Sequence, residues 1–227
     1  MHIEPGVVDG AKIFLSYGTA AASLGLAAQM WRNTMRNGGN VSALLMRSVV
    51  TTALVFCFFQ VLPHFAVGVS EVHFIFGSTL FLLFGAGPAA IGLAAGLLIQ
   101  GVFFAPYDLP QYFINITTLI IPLWAMSQLA KRIIPAHTPY VEIKYRQALA
   151  LSTAYQGGIV CWVAFWAFYG KGFGAENLAA VSSFGAAYMS VIILEPLADL
   201  AVLALAKTIA PYASSPTLYR RLYHAAN

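Results

Sequence analysis

Long apolar runs, broken by short polar stretches, set the pattern of this chain from end to end. Crossing the ~30 Å hydrocarbon layer of a bilayer takes about 20 helical residues. Runs of that kind cover about residues 11–31, 46–63, 112–130, 147–169 and 178–206. The stretch from Phe74 to Ala105 is different, because its 32 residues hold no charge and are too long for one crossing yet short for two. Gly85-Ala86-Gly87-Pro88 lies near its middle. Proline cannot continue a helix but starts one well, so this segment predicts a turn between two helices. The count is then seven, with a third segment, 73–84, shorter than the membrane is thick. Irregular backbone at membrane depth must be buried in protein or line a cavity.

Basic residues test that count. With the amino terminus placed outside, Arg32, Arg36, Arg47, Lys131, Arg132, Lys144, Arg146, Lys207, Arg220 and Arg221 fall on the inner side, and only Lys12 and Lys171 fall outside. Ten of the twelve on one side fits the positive-inside rule. The expected architecture is an all-α integral membrane protein of about seven transmembrane helices, amino terminus outside and carboxyl terminus inside. It reads as a single polytopic domain over 1–227: an outer segment 1–10, a helical bundle 11–210 and a cytoplasmic tail 211–227. Segments 1–10, 64–73, 106–111 and 170–177 share the outer face.

Composition agrees. Of 227 residues, 59% are hydrophobic and 9% charged, against roughly a quarter charged in soluble domains. The net charge of +4 is spread between apolar segments, so it marks topology rather than a nucleic-acid surface. Cys57 and Cys161 sit in apolar runs and form neither a disulfide framework nor a CxxC site. The first ten residues hold Glu4 and Asp9 and lack a basic start with an apolar core, so no cleaved signal is expected. Met1 is expected to stay, because His2 is too large for removal of the initiator.

The chain opens Met-His-Ile-Glu-Pro-Gly. A free amine at Met1, the amide nitrogen of His2 and the Nδ1 of its imidazole can hold one ion in a five- and a six-membered chelate ring. Three nitrogens in a plane leave a fourth place for another imidazole, a geometry that suits Ni(II) or Cu(II) better than Zn(II). His64 and His73, in the loop between the second and third segments, are the available donors. A solvated imidazole is the ordinary reading of any single histidine. His137 and His224 lie in inner basic segments.

The opening hexapeptide resembles the start of the substrate-binding components of energy-coupling-factor nickel/cobalt transporters, the CbiM/NikM family. SEVHFIFGSTLFLLFGAGPAAIGLAAGLLIQGVFFA (70–105) is similar to that family's histidine, Gly-rich helix and Gly-Pro turn. INITTLIIP (114–122) and ILEPLADL (193–200) match its later helices more thinly. The resemblance implies a seven-helix metal-capture protein of the bacterial cell (inner) membrane whose amino terminus enters a pocket. It implies Met1, His2 and His73 as ligands, Ni2+ or Co2+ as cargo, no cofactor, and two partners in the lipid bilayer and beneath it: a transmembrane coupling (T) protein and cytoplasmic ATPases. No GxxxxGK[ST] motif is present in the chain. Glu4-Pro5 reverses the family's order, Val7 replaces an aromatic, Phe74-Ile75-Phe76 precede Gly77, and Pro106-Tyr107-Asp108-Leu109-Pro110 replaces an Asp-Gly-Gly.

Other polar groups lie within the apolar runs. Gln100 follows Gly92 and Gly96 at four-residue spacing; with Asn115 it reads either as a hydrogen bond across packed helices or as support for the ligating imidazoles. Glu195 and Asp199 stand one turn apart around Pro196, as a proton relay, an inner metal site or a structural pair. Gly18, Ala21, Ala22, Gly25 and Ala28 form a small-residue face, for a coupling protein or for internal packing. Trp162, Phe165, Trp166, Phe168 and Tyr169 read as an interfacial belt. Two other functions remain open at this point: a stand-alone metal permease, and an intramembrane enzyme using Glu195, Asp199 and a histidine.

Overall fold

The computed structural model describes residues 2–36 and 40–209. Within them the chain forms α1 (Phe14–Arg36), α2 (Val41–Gln60), α3 (Gly77–Phe84), α4 (Ala86–Phe103), α5 (Tyr112–Ile133), α6 (Tyr145–Lys171) and α7 (Ala175–Ile209). Six of the seven are long and apolar enough to cross a membrane. The exception is α3, whose eight residues span about 12 Å at 1.5 Å per residue. Gly85 ends it at φ 91°, a conformation that favours glycine, and α4 begins at the next residue. The expected turn and the short third segment are both present, although residues 73–76 are irregular rather than helical.

Sequence explains how closely these helices approach. A Cβ on Gly92 would collide with Thr51, and one on Gly96 with Val55, so the glycine stripe of α4 lies directly on α2. Thr51 Oγ1 donates across that contact to the Pro88 carbonyl at 2.8 Å. Likewise Gly158 of α6 receives the ring of Pro122 on α5. Asn40 caps α2, its side chain accepting from Ser42 N–H at 2.9 Å. α4 and α5 are the most enclosed helices, and the largest buried side chains around them include Phe59, Tyr155, Trp166 and Tyr188.

The part outside the helices is small. β1 (Phe65–Val67) and β2 (Ser70–Val72) form an antiparallel hairpin, with Phe65 opposite Val72. Gly68 turns it at φ 65°, and a Cβ there would strike the Ala180 carbonyl, so the hairpin rests on α7. Ile3 adds a bridge to Ser70 on the hairpin's other edge. Short 3-10 turns cover Gly10–Ile13 and Pro106–Gln111. Residues 2–10, the hairpin, 106–111 and the α6–α7 turn meet at one end of the bundle: Gln111 Nε2 donates to Val8 O at 3.1 Å and Lys12 Nζ to Gly170 O at 2.6 Å. These four are the segments expected on a common face.

Several sequence readings change here. Trp166 is fully buried, so it belongs to the core rather than to an interfacial belt. Its neighbour Phe165 is the exposed ring. Gly18, Ala21, Ala22, Gly25 and Ala28 all lie on the exposed side of α1, which removes the internal-packing reading. Cys57 and Cys161 are free and exposed on the helix surfaces. Arg220, Arg221, His224 and the tail 211–227 fall outside the described residues.

Candidate metal centre

Backbone pairing builds the centre. His2 O accepts the N–H of Glu71 at 2.9 Å and the Ser70 hydroxyl at 2.8 Å, while Glu4 N–H donates to Val69 O at 3.1 Å. Ile3 N–H donates to Asn115 Oδ1 of α5 at 3.0 Å. The first residues are thus a strand clamped between the hairpin and α5, with Ile3, Val7 and Val8 buried beneath it. The amide N–H of His2 makes no hydrogen bond to the described residues.

The clamp places His2 across from Glu71, and strand alternation places Glu71 and His73 on one side of the hairpin. His2 Nδ1 lies 2.8 Å from Glu71 Oε2, His73 Nε2 lies 2.7 Å from the same oxygen, and the two nitrogens are 3.2 Å apart. The two rings are 2% and 1% exposed. Phe59 presses edgewise on both, with centroids at 5.7 and 5.5 Å.

These three atoms over-satisfy one another as hydrogen bonds. Burial lowers the pKa of His2 to about 4 and takes that of His73 well below its ordinary value. Burial alone would raise Glu71, but the hydrogen bonds from His2 and His73 outweigh it and hold the carboxyl well below the usual range. At neutral pH the set is two neutral imidazoles and a carboxylate. If each ring donates its one N–H to Glu71, the 3.2 Å edge sets donor against donor. The lone pairs then fall on His2 Nε2 and His73 Nδ1, both buried without a partner among the described residues. Metal–nitrogen bonds of about 2.0–2.1 Å put ligands at right angles about 3.0 Å apart. The observed edges match that spacing, so one cation can replace two protons and satisfy all three atoms.

The family profile described as cobalt uptake substrate-specific transmembrane region, CbiM, matches residues 2–213. The chain belongs to the CbiM family. It is a multi-pass membrane transport component and not an enzyme. Its fold is similar to the crystal structure of a truncated transition metal transporter, with a TM-score of 0.63 at 13% identity over 93% of this chain and 99% of that one. A second crystal structure of a transition metal transporter gives a TM-score of 0.55 at 14% identity over 93% of each chain. No curated protein matches the chain.

Of the residues that sequence singled out in this CbiM-family chain, His2 and His73 converge. Met1 lies outside the described residues. His64 does not join the donor set; its ring stacks flat on His73 at 4.8 Å, and its Nδ1 lies 3.2 Å from Leu62 O. Gln100 Nε2 reaches Phe59 O at 3.4 Å, and the Gln100 side chain also interacts with the His2 ring, opposing only slightly the lowering of its pKa by burial. Asn115 meets the supporting reading: from α5 its side chain holds the backbone next to His2, and the bond goes to the terminal strand rather than to a second helix. With Asp108, Tyr112, Leu97, Gly101 and Leu109 it lines a small cavity that reaches His2.

Glu71 was missed from sequence, and the signal was available: a Glu-x-His pair in an extended segment shares a face. Asp108 was also missed; only 5% exposed, it stands in the loop that departs from the family's Asp-Gly-Gly. Glu195 and Asp199 are remote from the centre in sequence and bind residues 75–79 instead.

Proposed function

We propose that this protein captures a divalent transition metal ion, Ni2+ or Co2+, at a centre made by the Met1 amine, the amide nitrogen and Nδ1 of His2, Nε2 of His73 and a carboxylate oxygen of Glu71. One observation carries the reading: Nδ1, the His2 atom that a terminal chelate uses, is the atom that meets His73. The unclaimed His2 amide N–H agrees with it, because that nitrogen must lose its proton to bind.

Charge supports the same set. An uncompensated buried ion costs tens of kcal/mol in a low-dielectric medium. The ionised amide and the Glu71 carboxylate together cancel a double positive charge. Once the metal occupies Nδ1, the ring proton moves to Nε2, and the Gln100 side chain, which interacts with the His2 ring, is available to accept it.

The cargo is taken up from the side of the membrane facing the amino terminus. In support, Arg32, Arg36, Arg47, Lys131, Arg132, Lys144, Arg146 and Lys207 all lie at the helix ends opposite the centre. The chain acts as the single-domain binding component of an energy-coupling-factor importer, with a coupling protein and cytoplasmic ATPases as partners. The exposed small-residue face of α1 is a surface on which a coupling helix can lie closely.

The test is calorimetric titration of the purified full-length protein with Ni2+ and Co2+. Adding one residue before Met1, or changing His2 or His73 to alanine, is expected to abolish tight binding, and His64→Ala to preserve it. Undiminished affinity with the terminus extended would refute the chelate. Uptake into vesicles with and without co-purified ATPases separates the importer from a stand-alone permease.

A further inference from the structure

Two carboxylates lie deep in the bundle, one turn apart on α7, with Glu195 at 0% and Asp199 at 2% exposure. Neither forms an ion pair among the described residues. Their partners are unusually concentrated in sequence. Glu195 accepts the backbone N–H of Ile75 and, at 3.0 Å, that of Phe76. Asp199 accepts the hydroxyls of Ser78 and Thr79. Four of the five residues from 75 to 79 are therefore tied to α7, and the first of them is two positions after His73.

α6 completes the arrangement. Gln156 donates to Glu195 and accepts from the Tyr188 hydroxyl at 2.6 Å, while Ser78 Oγ lies 3.2 Å from Ser152 Oγ. Every carboxylate oxygen of the pair thus has a donor. The groups they meet are the start of α3, where the free N–H groups of the first turn already carry partial positive charge. Held in this way by α3 and α6, the two acids read as a structural pair.

What the pair does hold is an unusual backbone. Phe76 sits at φ 52°, the left-handed region that a bulky L-residue rarely adopts. Its ring stacks on Phe74 at 5.8 Å and meets Phe58 edgewise at 5.0 Å. Glu195 binds the N–H groups of two consecutive peptide links, Phe74–Ile75 and Ile75–Phe76, so it sets the direction in which the chain leaves His73 for α3.

We propose that Glu195, assisted by Asp199, is the positioning residue for His73, and that it couples the metal centre to α7. Coordination tolerates about 0.2 Å of misplacement, so a small slide of α7 against α3 pulls His73 out of the donor set and loosens the cargo. α7 is the helix suited to this role. Its 35 residues extend about 52 Å at 1.5 Å per residue, far past the depth of Glu195. A partner that moves its distal end thereby acts, through Glu195, on the segment that follows His73. The inference rests on His73 being a ligand, as proposed above.

The experiment is a double-mutant cycle on the full-length protein, reading the visible spectrum of bound Ni2+ and Co2+ and the rate at which a chelator removes each. Glu195→Gln keeps the shape but presents an N–H2 to one of the two backbone donors. Release is expected to quicken by about 10-fold or more, the range seen when groups that orient a ligand are lost. The spectrum should move toward that of His73→Ala, and Glu195→Gln added to His73→Ala should change nothing further. Glu195→Asp is expected to restore part of the wild-type spectrum. If Glu195→Gln does not fold, Thr79→Ala gives the same readouts while leaving both acids in place. A wild-type spectrum and release rate in Glu195→Gln or Thr79→Ala, or full additivity with His73→Ala, overturns the inference alone. A wild-type spectrum in His73→Ala overturns the ligand assignment beneath it.

Discussion

His2 Nδ1 stands 3.2 Å from His73 Nε2 across 71 residues of sequence, and a single oxygen of Glu71 touches both nitrogens. An atom adjacent to two neighbouring corners of a planar four-nitrogen set lies off that plane. In the proposed centre Glu71 would then be a fifth donor. Planar coordination suits Ni(II) and Cu(II), whereas five-coordination accommodates Co(II). Glu71→Gln removes a charge and the strongest axial donor together. Its Co2+ affinity is expected to fall by about 10- to 100-fold, and that for Ni2+ by less, in a competition titration. Equal losses for the two ions would show that Glu71 supplies charge without choosing the metal.

Acid should unfold the metal-free protein through the same groups. The pKa of His2 is lowered from 6.5 to about 4 in the folded state, so between those values the unfolded chain binds more protons. Stability is therefore complete above about pH 6.5 and falls as the pH drops toward 4, by up to about 1.4 kcal/mol per pH unit for each such histidine. His73 and Glu71, both held below their ordinary values, act in the same direction. Melting temperatures across this range measure it, and saturating Ni2+ should raise the whole curve until protons displace the metal. A flat profile would contradict the buried neutral imidazoles.

Asn115 separates docking of the terminus from chemistry at the metal. Its Oδ1 is the acceptor for Ile3 N–H. Asn115→Leu leaves that buried donor unpaired, at a cost of about 1–3 kcal/mol, and should weaken binding by freeing the terminal strand. Asn115→Asp keeps the acceptor and is expected to bind within a few-fold of wild type. Comparable losses in the two variants would assign Asn115 a role beyond its oxygen.

Two glycines on α6 make a matched pair. A Cβ at Gly170 would run into the Val7 carbonyl, whereas one at Gly157 meets nothing within 4 Å. Gly170→Ala should push the terminal segment off the bundle and lower both melting temperature and metal affinity. Gly157→Ala is expected to be neutral or stabilising by up to about 1 kcal/mol, since alanine favours a helix. Melting and titration of both variants provide the check.

Much of the architecture was legible because bilayers impose a length on apolar runs, and the uncharged stretch 74–105 announced its own break at Gly85. His2 could be singled out because its chelating geometry is covalent and independent of the fold. Glu71 was overlooked although its Glu-x-His spacing was visible, because that spacing means a shared face only where the chain is extended, and a strand as short as Ser70–Val72 does not announce itself by alternation. The partners of Glu195 were hidden for another reason: it binds backbone N–H groups, which every residue but proline carries. Trp166 was misread because a helix that is apolar all round does not reveal which side faces lipid.

The Ile3–Asn115 hydrogen bond also dictates an order of assembly. Its two ends are 112 residues apart, so the terminal strand has nothing to dock against until α5 has been synthesised and inserted. Until then, if the proposed chelate holds, Met1 and His2 would meet an ion with neither His73 nor a lid of helices to select it. On that proposal discrimination would be acquired late in biogenesis, and a tag or fusion placed ahead of Met1 would remove it from the outset. Reporters for following this protein in cells belong at its other end.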